Sequence, residues 1–159
     1  MGPMLGEEFS DALDVAARNV ADYELEDRVT LIESDLYDQV PATRYDLIVT
    51  NPPYVTNDET DALPREYSYE PELGLRAGDD GLDLALRILR DAPEHLSEDG
   101  VLICEVGEAE RALTALLPEL PLAWVEFKVG QMGIFVAERA DLVEHAGRIR
   151  ELADARAKR

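Results

Sequence analysis

Short apolar runs alternate with amphipathic segments along the chain. Branched apolar residues bounded by turn signals predict strands over residues 28–33, 45–50, 101–106, 123–129 and 133–138. Apolar residues at helical spacing predict a helix that starts at Ser10 and continues at least to Val20, and helices over residues 81–96, 108–117 and 141–157. Ser10 is the predicted N-cap of the first helix. Because strands and helices alternate before two closing strands, the pattern predicts an α/β fold with a mostly parallel sheet and a C-terminal antiparallel hairpin.

The strand over residues 45–50 ends abruptly in Asn51-Pro52-Pro53-Tyr54. Two consecutive prolines fix φ twice and remove two N–H donors, so the strand cannot continue through them. The Asn51 carboxamide and the Pro52 carbonyl can together accept the two hydrogens of an –NH₂ group, and Tyr54 offers a flat face. This pattern favours a site that orients a planar amide or amine at the carboxyl end of a sheet. A proline-rich strand end with a buried Asn is the structural alternative.

The connection from residue 51 to residue 80 shows little periodicity, yet it contains aromatic and apolar residues such as Tyr67, Tyr69 and Leu73. A loop of this length in a compact domain is usually functional or disordered. Its apolar content favours an ordered lid.

Composition narrows the classes of function. The 159 residues are enough for one domain, and their formal net charge is −20, from 35 acidic and 15 basic residues. This scattered acidity disfavours direct binding to nucleic acid and favours a basic protein partner, and a salt-adapted source is one hypothesis for it. His95, His145 and the single Cys104 are too isolated for a metal site, so we expect none. Without a long apolar run or a signal-peptide pattern, the sequence predicts no membrane segment and a cytoplasmic location.

The motifs resemble those of the S-adenosylmethionine-dependent protein-glutamine N5-methyltransferases, which carry NPPY. The matching segments are SDLY at 34–37, DLIVTNPPYV at 46–55, LPREYSYEPELGL at 63–75, AGDDGLDLALRIL at 77–89 and EDGVLICEVG at 98–107. The EYSYEPELGL segment and WVEF at 124–127 look most like the branch that acts on large-subunit ribosomal protein three. A sibling branch acts on release factors.

The resemblance implies roles for individual residues. Asn51 and Pro52 would accept the hydrogens of the glutamine amide, Pro53 would fix the turn, and Tyr54 would pack against the substrate. Glu70-Pro71 would form part of the wall of the substrate channel. Asp35 and Leu36 would meet the adenine end of the cofactor, and Asn51 would also lie at the cofactor.

One feature of the family has no counterpart in this sequence. The family opens its catalytic domain with a glycine-rich turn of D-x-G-x-G-x-G type, and no such turn occurs here. Glu8 stands where the next strand would end in an acid that holds the ribose, although it is equally compatible with plain surface charge. The resemblance therefore predicts an N-terminally truncated Rossmann-like domain that lacks the first strand and most of the second, and whose cofactor binding is weakened.

The predicted partition has three parts: a start at residues 1–9 that combines a cloning-type remnant with the end of the second strand, a partial catalytic domain at 10–140, and an amphipathic helix at 141–159. A missing first strand would expose an edge of the sheet, which predicts re-pairing of strands or self-association. Two alternatives stay open beside the glutamine methyltransferases. An adenine N6-methyltransferase also uses NPPY, and a non-catalytic protein-binding fragment is compatible with the missing glycine turn.

Overall fold

The computed structural model describes residues 5–53, 81–128 and 133–157, with side chains from residue 12 onward. The chain divides into two compact units, Met1–Pro41 and Ala42–Arg159. Each unit is described below by itself.

The first unit is built on helix α1, Leu5–Asp22. The helix begins five residues before the predicted cap, so Ser10 lies inside it and is not its N-cap. It ends in a Schellman motif: Glu24 has a left-handed φ of 54°, and the Leu25 and Glu24 amides donate to the carbonyls of Val20 (2.9 Å) and Ala21 (3.1 Å). These two hydrogen bonds satisfy carbonyls that the end of the helix would otherwise leave open.

The predicted strand at residues 28–33 is wrong. Residues 29–34 belong to no strand, and the side chains of Val29 and Leu31 are exposed. A branched apolar sequence forms a strand only where a neighbouring strand pairs with its N–H and C=O groups. Among the described residues no strand pairs with this segment.

The second unit contains a four-stranded sheet in the order β1-β2-β4-β3. Its strands are β1 Tyr45–Thr50, β2 Leu96–Glu105, β3 Ala123–Trp124 and β4 Ile134–Glu138. β1 and β2 are parallel, whereas β2–β4 and β3–β4 are antiparallel. Of the three described strand pairings one is parallel and two are antiparallel, so the sheet is mixed and not mostly parallel as predicted. The α/β class and the C-terminal antiparallel hairpin are confirmed.

Four helices accompany the sheet in the described part of this unit: α2 Asp83–His95, α3 Glu110–Leu116, α4 Arg139–Glu144 and α5 Ala146–Arg156. A 3₁₀ turn, Gly107–Ala109, precedes α3. The single helix predicted from Asp141 is divided, because the chain leaves helical geometry at His145. Helix α2 contains Pro93 in its last turn. The backbone carbonyls of this turn have no hydrogen-bond partner within the helix.

The β1–β2 register is irregular near its start. Tyr45 pairs with Leu96 and Leu47 with Val101, so two residues of β1 advance against five of β2. The predicted turn at Ser97–Gly100 accounts for the extra residues, although they are assigned to β2. Gly100 fits because a Cβ there would lie 2.8 Å from the Tyr45 carbonyl oxygen. The Ser97 hydroxyl donates to Asp46 Oδ1 at 2.7 Å, which holds the two strands together at this end.

One face of the sheet forms the core of the second unit. Its fully buried side chains include Leu102, Cys104, Phe135 and Ala137, which alternate along β2 and β4. Helices α2 and α4 contact β2 and supply further buried apolar residues. The opposite face is open at β1, where Leu47 is 52% exposed and Val49 is 66% exposed. The helices of this unit thus cover one side of the sheet more completely than the other.

Candidate functional site

The predicted acceptor residues follow β1 directly. Thr50 pairs in parallel with Cys104, so the carboxyl ends of β1 and β2 meet at the same edge of the sheet. Asn51 is exposed there, Pro52 is buried and Pro53 is half-buried. The buried Pro52 ring anchors the turn while the Asn51 carboxamide remains accessible to a ligand.

The exposure of Asn51 bears on the structural alternative raised by the sequence. A purely structural Asn at a strand end would be buried, with its amide engaged inside the protein. Asn51 is exposed instead, so its carboxamide can offer an acceptor and two donors to a ligand. Orientation of a planar –NH₂ group by Asn51 and Pro52 stays a prediction. Tyr54, Glu70 and Pro71 lie outside the described residues, and their roles stay predictions.

The predicted cofactor residues Asp35 and Leu36 lie in a compact turn of the first unit. The Ser34 hydroxyl accepts from the Gln39 amide at 2.9 Å, and the Asp38 amide donates to the Asp35 carbonyl at 3.2 Å. Leu36 has a φ of 51°, a left-handed conformation that is unfavourable for a branched apolar residue. Strained backbone of this kind concentrates at ligand-binding sites. The turn is thus built locally, and its contact with a cofactor stays a prediction.

The structure places Glu8 differently from the sequence interpretation. Glu8 was expected at the end of a strand, but it lies within α1, Leu5–Asp22. A helix presents successive side chains in a different direction from a strand end. Its predicted contact with a ribose is untested and has lost the strand on which it was based.

Two glycines that the sequence analysis did not use fix the carboxyl end of β2. The Val106 amide donates to the Gly133 carbonyl at 2.7 Å. Gly107 and Gly133 both have positive φ, 51° and 76°, and a Cβ on Gly133 would collide with the Gly107 carbonyl. Only glycine permits this backbone contact. In the sequence, this contact is indicated by a glycine directly after Val106 and another directly before Ile134.

Cys104 is adjacent to this edge but faces the core. It is fully buried, and burial, reinforced by the negative charge of Glu105, raises the pKa of its thiol to about 12. The thiol is therefore protonated at neutral pH and unsuited to nucleophilic attack. Cys104 therefore serves as a small packed hydrophobic residue.

Two further kinds of site were sought within the described ranges. No cluster of three or more His, Cys, Asp or Glu side chains there could hold a metal ion. No helix in those ranges is both long and apolar enough to cross a membrane.

Comparison with known proteins first establishes the class. A family model described as the methyltransferase small domain matches residues 4–65, which include the Asp35 turn and the Asn51–Tyr54 motif. The α/β sheet is consistent with a Rossmann-like methyltransferase domain, the class to which this match points.

Curated relatives narrow the class. The chain is 69% identical over 146 residues to the ribosomal protein uL3 glutamine methyltransferase of Xanthomonas campestris pv. campestris, a match that covers 92% of this chain and 47% of the relative. The corresponding protein of Xylella fastidiosa (strain Temecula1) is 60% identical over 143 residues, covering 90% of this chain and 46% of the relative. That of Francisella tularensis is 47% identical over 135 residues, covering 85% and 43%.

The chain thus spans about half the length of the curated relatives it matches. It is homologous to the uL3 glutamine methyltransferases, and the resemblance read from its motifs is confirmed.

Proposed function

We propose that the protein transfers a methyl group from S-adenosylmethionine to the side-chain amide nitrogen of a glutamine in a large-subunit ribosomal protein. The observation that carries this proposal is the exposed Asn51, which follows the half-buried Thr50 at the end of β1 and precedes the buried Pro52. Relatives that share this segment are named for the same reaction. The chain would supply the acceptor half of the active site.

The residues at the end of β1 would act by orientation. The Asn51 carboxamide oxygen and the Pro52 carbonyl accept the two hydrogens of the glutamine amide. Tyr54 provides a flat surface for the amide plane. Held in this way, the nitrogen lone pair points out of the plane toward an electrophile, and positioning replaces chemical activation of the nitrogen. When bound, S-adenosylmethionine supplies that electrophile as a sulfonium methyl group.

The residues on the donor side fit the cofactor only in part. The Asp35–Leu36 turn offers a carboxylate and an apolar side chain, as an adenosine requires, but the sequence contains no D-x-G-x-G-x-G turn. Backbone amides of such a turn are the usual means of holding a charged ligand close to the chain. We therefore propose that this chain by itself binds S-adenosylmethionine weakly. Calorimetric titration that gave ordinary micromolar affinity would contradict this.

Charge favours a basic protein as the partner. A net charge of −20 attracts a substrate that carries many Lys and Arg residues, as an RNA-binding ribosomal protein does. The same charge repels phosphate backbones, so we propose that the chain recognises the protein substrate without binding nucleic acid directly. With a ribosomal protein as the substrate, we propose that the reaction takes place in the cytoplasm.

Methyl transfer to purified ribosomal protein tests the proposal. Cofactor with a labelled methyl group should label a glutamine of large-subunit ribosomal protein three, with mass spectrometry locating the methyl on the side chain. Asn51→Ala should reduce the rate by about 100-fold or more, since an exposed residue that orients the nucleophile is removed. Label in a release factor would indicate the sibling reaction, and label in DNA would indicate adenine methylation. No label in any acceptor would favour a non-catalytic, protein-binding fragment.

We further propose that β1 mediates self-association. Among the described strands only β2 pairs with β1, and Leu47 and Val49 are largely exposed. An apolar strand with an open edge is a template for pairing with another chain. The net charge opposes such pairing, so association should increase with ionic strength.

A further inference from the structure

Glu105 ends the strand beside the acceptor turn. The register pairs Thr50 with Cys104, so the next residues along the two parallel strands are Asn51 and Glu105. Paired residues of parallel strands point to the same face of a sheet, and alternate residues point to opposite faces. Continued by one residue, this alternation places Asn51 and Glu105 on the face opposite to buried Cys104.

The environment of Glu105 suits a functional carboxylate. Glu105 is half-buried, whereas Cys104 before it is fully buried on the other face. On the face of Glu105, Val49 is 66% exposed, so a ligand can reach this side of the sheet. Partial burial lowers the effective dielectric around a carboxylate and strengthens its interaction with a nearby positive charge.

The end of β2 is also held rigidly. Glu105 pairs with Ile134 of β4, and the next residue is fixed by the Val106–Gly133 hydrogen bond of 2.7 Å. The close contact of Gly107 with Gly133 limits movement immediately afterwards. A carboxylate on a rigid strand end keeps its position relative to the neighbouring strand, as electrostatic stabilisation requires.

We infer that Glu105 is a second functional residue of the acceptor site, where its carboxylate stabilises the positive charge that develops on the glutamine amide nitrogen and accepts the proton lost from that nitrogen. This inference rests on the proposed function. The nitrogen lone pair forms the new N–CH₃ bond, and the electron pair of the broken S–CH₃ bond returns to sulfur. The N-methylated nitrogen is then cationic, and its proton passes to Glu105, which leaves a neutral N-methyl amide.

Other ionisable groups near β2 lie elsewhere. Asp46 is at the opposite end of β1, about 16 Å from Asn51 along the strand at 3.3 Å per residue, and Glu138 pairs with Val101 at the opposite end of β4. Glu108, in the turn after β2, is exposed. Glu126 and Lys128, which follow β3, are exposed as well, and Glu98 and Asp99 lie in the first half of β2. Further ionisable groups of the described residues belong to helices that pack against β2: Asp83, Arg87, Arg90, Asp91, Glu94 and His95 of α2, and Arg139, Asp141 and Glu144 of α4. Of the carboxylates on β1, β2 and β4 in the described part of the chain, Glu105 is the one placed at the end of the sheet where Asn51 lies.

The test compares Glu105→Gln with Glu98→Gln, which neutralises an exposed glutamate in the same strand. Nuclear magnetic resonance should show the side-chain amide signals of Asn51 shifting as the pH is lowered. This shift should disappear in Glu105→Gln and persist in Glu98→Gln. In the methyl-transfer assay, Glu105→Gln should lower kcat by about 100-fold with little change in KM, because it removes stabilisation that exists only in the transition state. Glu105→Asp should recover part of the rate.

The outcomes separate this inference from the proposed function. If the parent protein is active and Glu105→Gln matches it in kcat, the inference is overturned while the proposed function stands. If the parent transfers no methyl group to any ribosomal protein, the proposed function fails, and the Asn51 titration alone decides whether Glu105 faces the acceptor turn. Asn51 signals that titrate identically in Glu105→Gln and in the parent would overturn the inference in either case. Circular dichroism of each variant establishes that the fold is retained.

Discussion

Arg139 Nε donates to the main-chain carbonyl of Pro93 at 3.0 Å, and so joins the start of α4 to the last turn of α2. Arg44, immediately before β1, reaches the same carbonyl at 3.1 Å and the Leu96 carbonyl at 2.9 Å. The carbonyls at the end of a helix have no partner within the helix and carry partial negative charge. Two arginines that are distant in the sequence therefore satisfy the end of α2 and hold β1 beside it.

These contacts predict non-additive losses of stability. Arg139→Met and Arg44→Met should each lower the free energy of unfolding by about 1 kcal/mol. Together they should cost more than the sum, because only the double variant leaves the Pro93 carbonyl without either donor. Urea unfolding of the four proteins in a double-mutant cycle measures the coupling.

Arg148→Met provides the control for that cycle. Arg148 forms an exposed i,i+3 ion pair with Glu151 at 2.8 Å, and such surface pairs contribute little. Arg148→Met should lower the free energy of unfolding only slightly, and its effect should add to that of Arg139→Met. Strict additivity between Arg44→Met and Arg139→Met would show that the shared carbonyl does not couple them.

The contact between Gly107 and Gly133 predicts a severe effect of a single methyl group. Gly133→Ala should destabilise the protein by about 3 kcal/mol, since it combines a positive φ of 76° with a collision against backbone. Gly147→Ala is the matched change in α5, where a Cβ would meet nothing within 4 Å. It should be neutral or stabilise by about 0.5 kcal/mol. Thermal unfolding compares the two, and equal shifts in Tm would contradict the assigned backbone contact.

The raised pKa of Cys104 predicts alkaline sensitivity. The folded protein favours the protonated thiol up to about pH 12, whereas the ordinary thiol pKa is 9.0. The stability that the folded protein gains from the protonated thiol is fully present below pH 9 and is lost as the pH rises toward 12. The free energy of unfolding should fall by at most about 1.4 kcal/mol per pH unit over this interval. Cys104→Ala should be less stable at neutral pH but should lose less stability over that interval. Denaturant unfolding at several pH values checks this. Tyrosines and lysines titrate in both proteins, so parallel stability curves would argue against a buried thiol.

The open face of β1 predicts that a charge there prevents self-association. Val49→Lys should keep the protein monomeric at high salt, while Val143→Lys, on α4 and 48% exposed, should associate like the parent. Both positions are exposed, so neither change should alter stability by more than about 0.5 kcal/mol. Light scattering across a salt series distinguishes them. A parent that stays monomeric throughout would rule out pairing through β1.

What the sequence could predict depended on local signals. The apolar run of β1 and the prolines after it specify a strand that stops at Thr50, and the structure confirms both the strand and its end. The C-terminal hairpin was likewise visible from its alternation, and Trp124 and Phe135 on its two strands make an edge-to-face contact at 5.5 Å.

The failures have non-local causes. The 28–33 segment has the composition of a strand, but strand formation depends on a partner elsewhere in the chain. Ser10 looked like a cap because capping residues also occur inside helices, where tertiary packing decides the boundary. Glu105 did not stand out among 35 acidic residues, because its proposed position beside Asn51 follows from the pairing of two strands separated by more than forty residues. Register of that kind is a property of the folded sheet.

The two hydrogen bonds of Arg44 have a topological consequence. They link residue 44 to residues 93 and 96 through hydrogen bonds of 3.1 and 2.9 Å, and so close a loop of the chain. β1 and the acceptor turn belong to the chain within this loop. The parallel pairing of β1 with β2 begins next to these hydrogen bonds. β1 and β2 are therefore held together by direct hydrogen bonds, independently of the chain that connects them. A single cut of the backbone between residues 54 and 80 would therefore leave the pieces associated. The acceptor turn could then be supplied to the rest of the protein as a separate fragment.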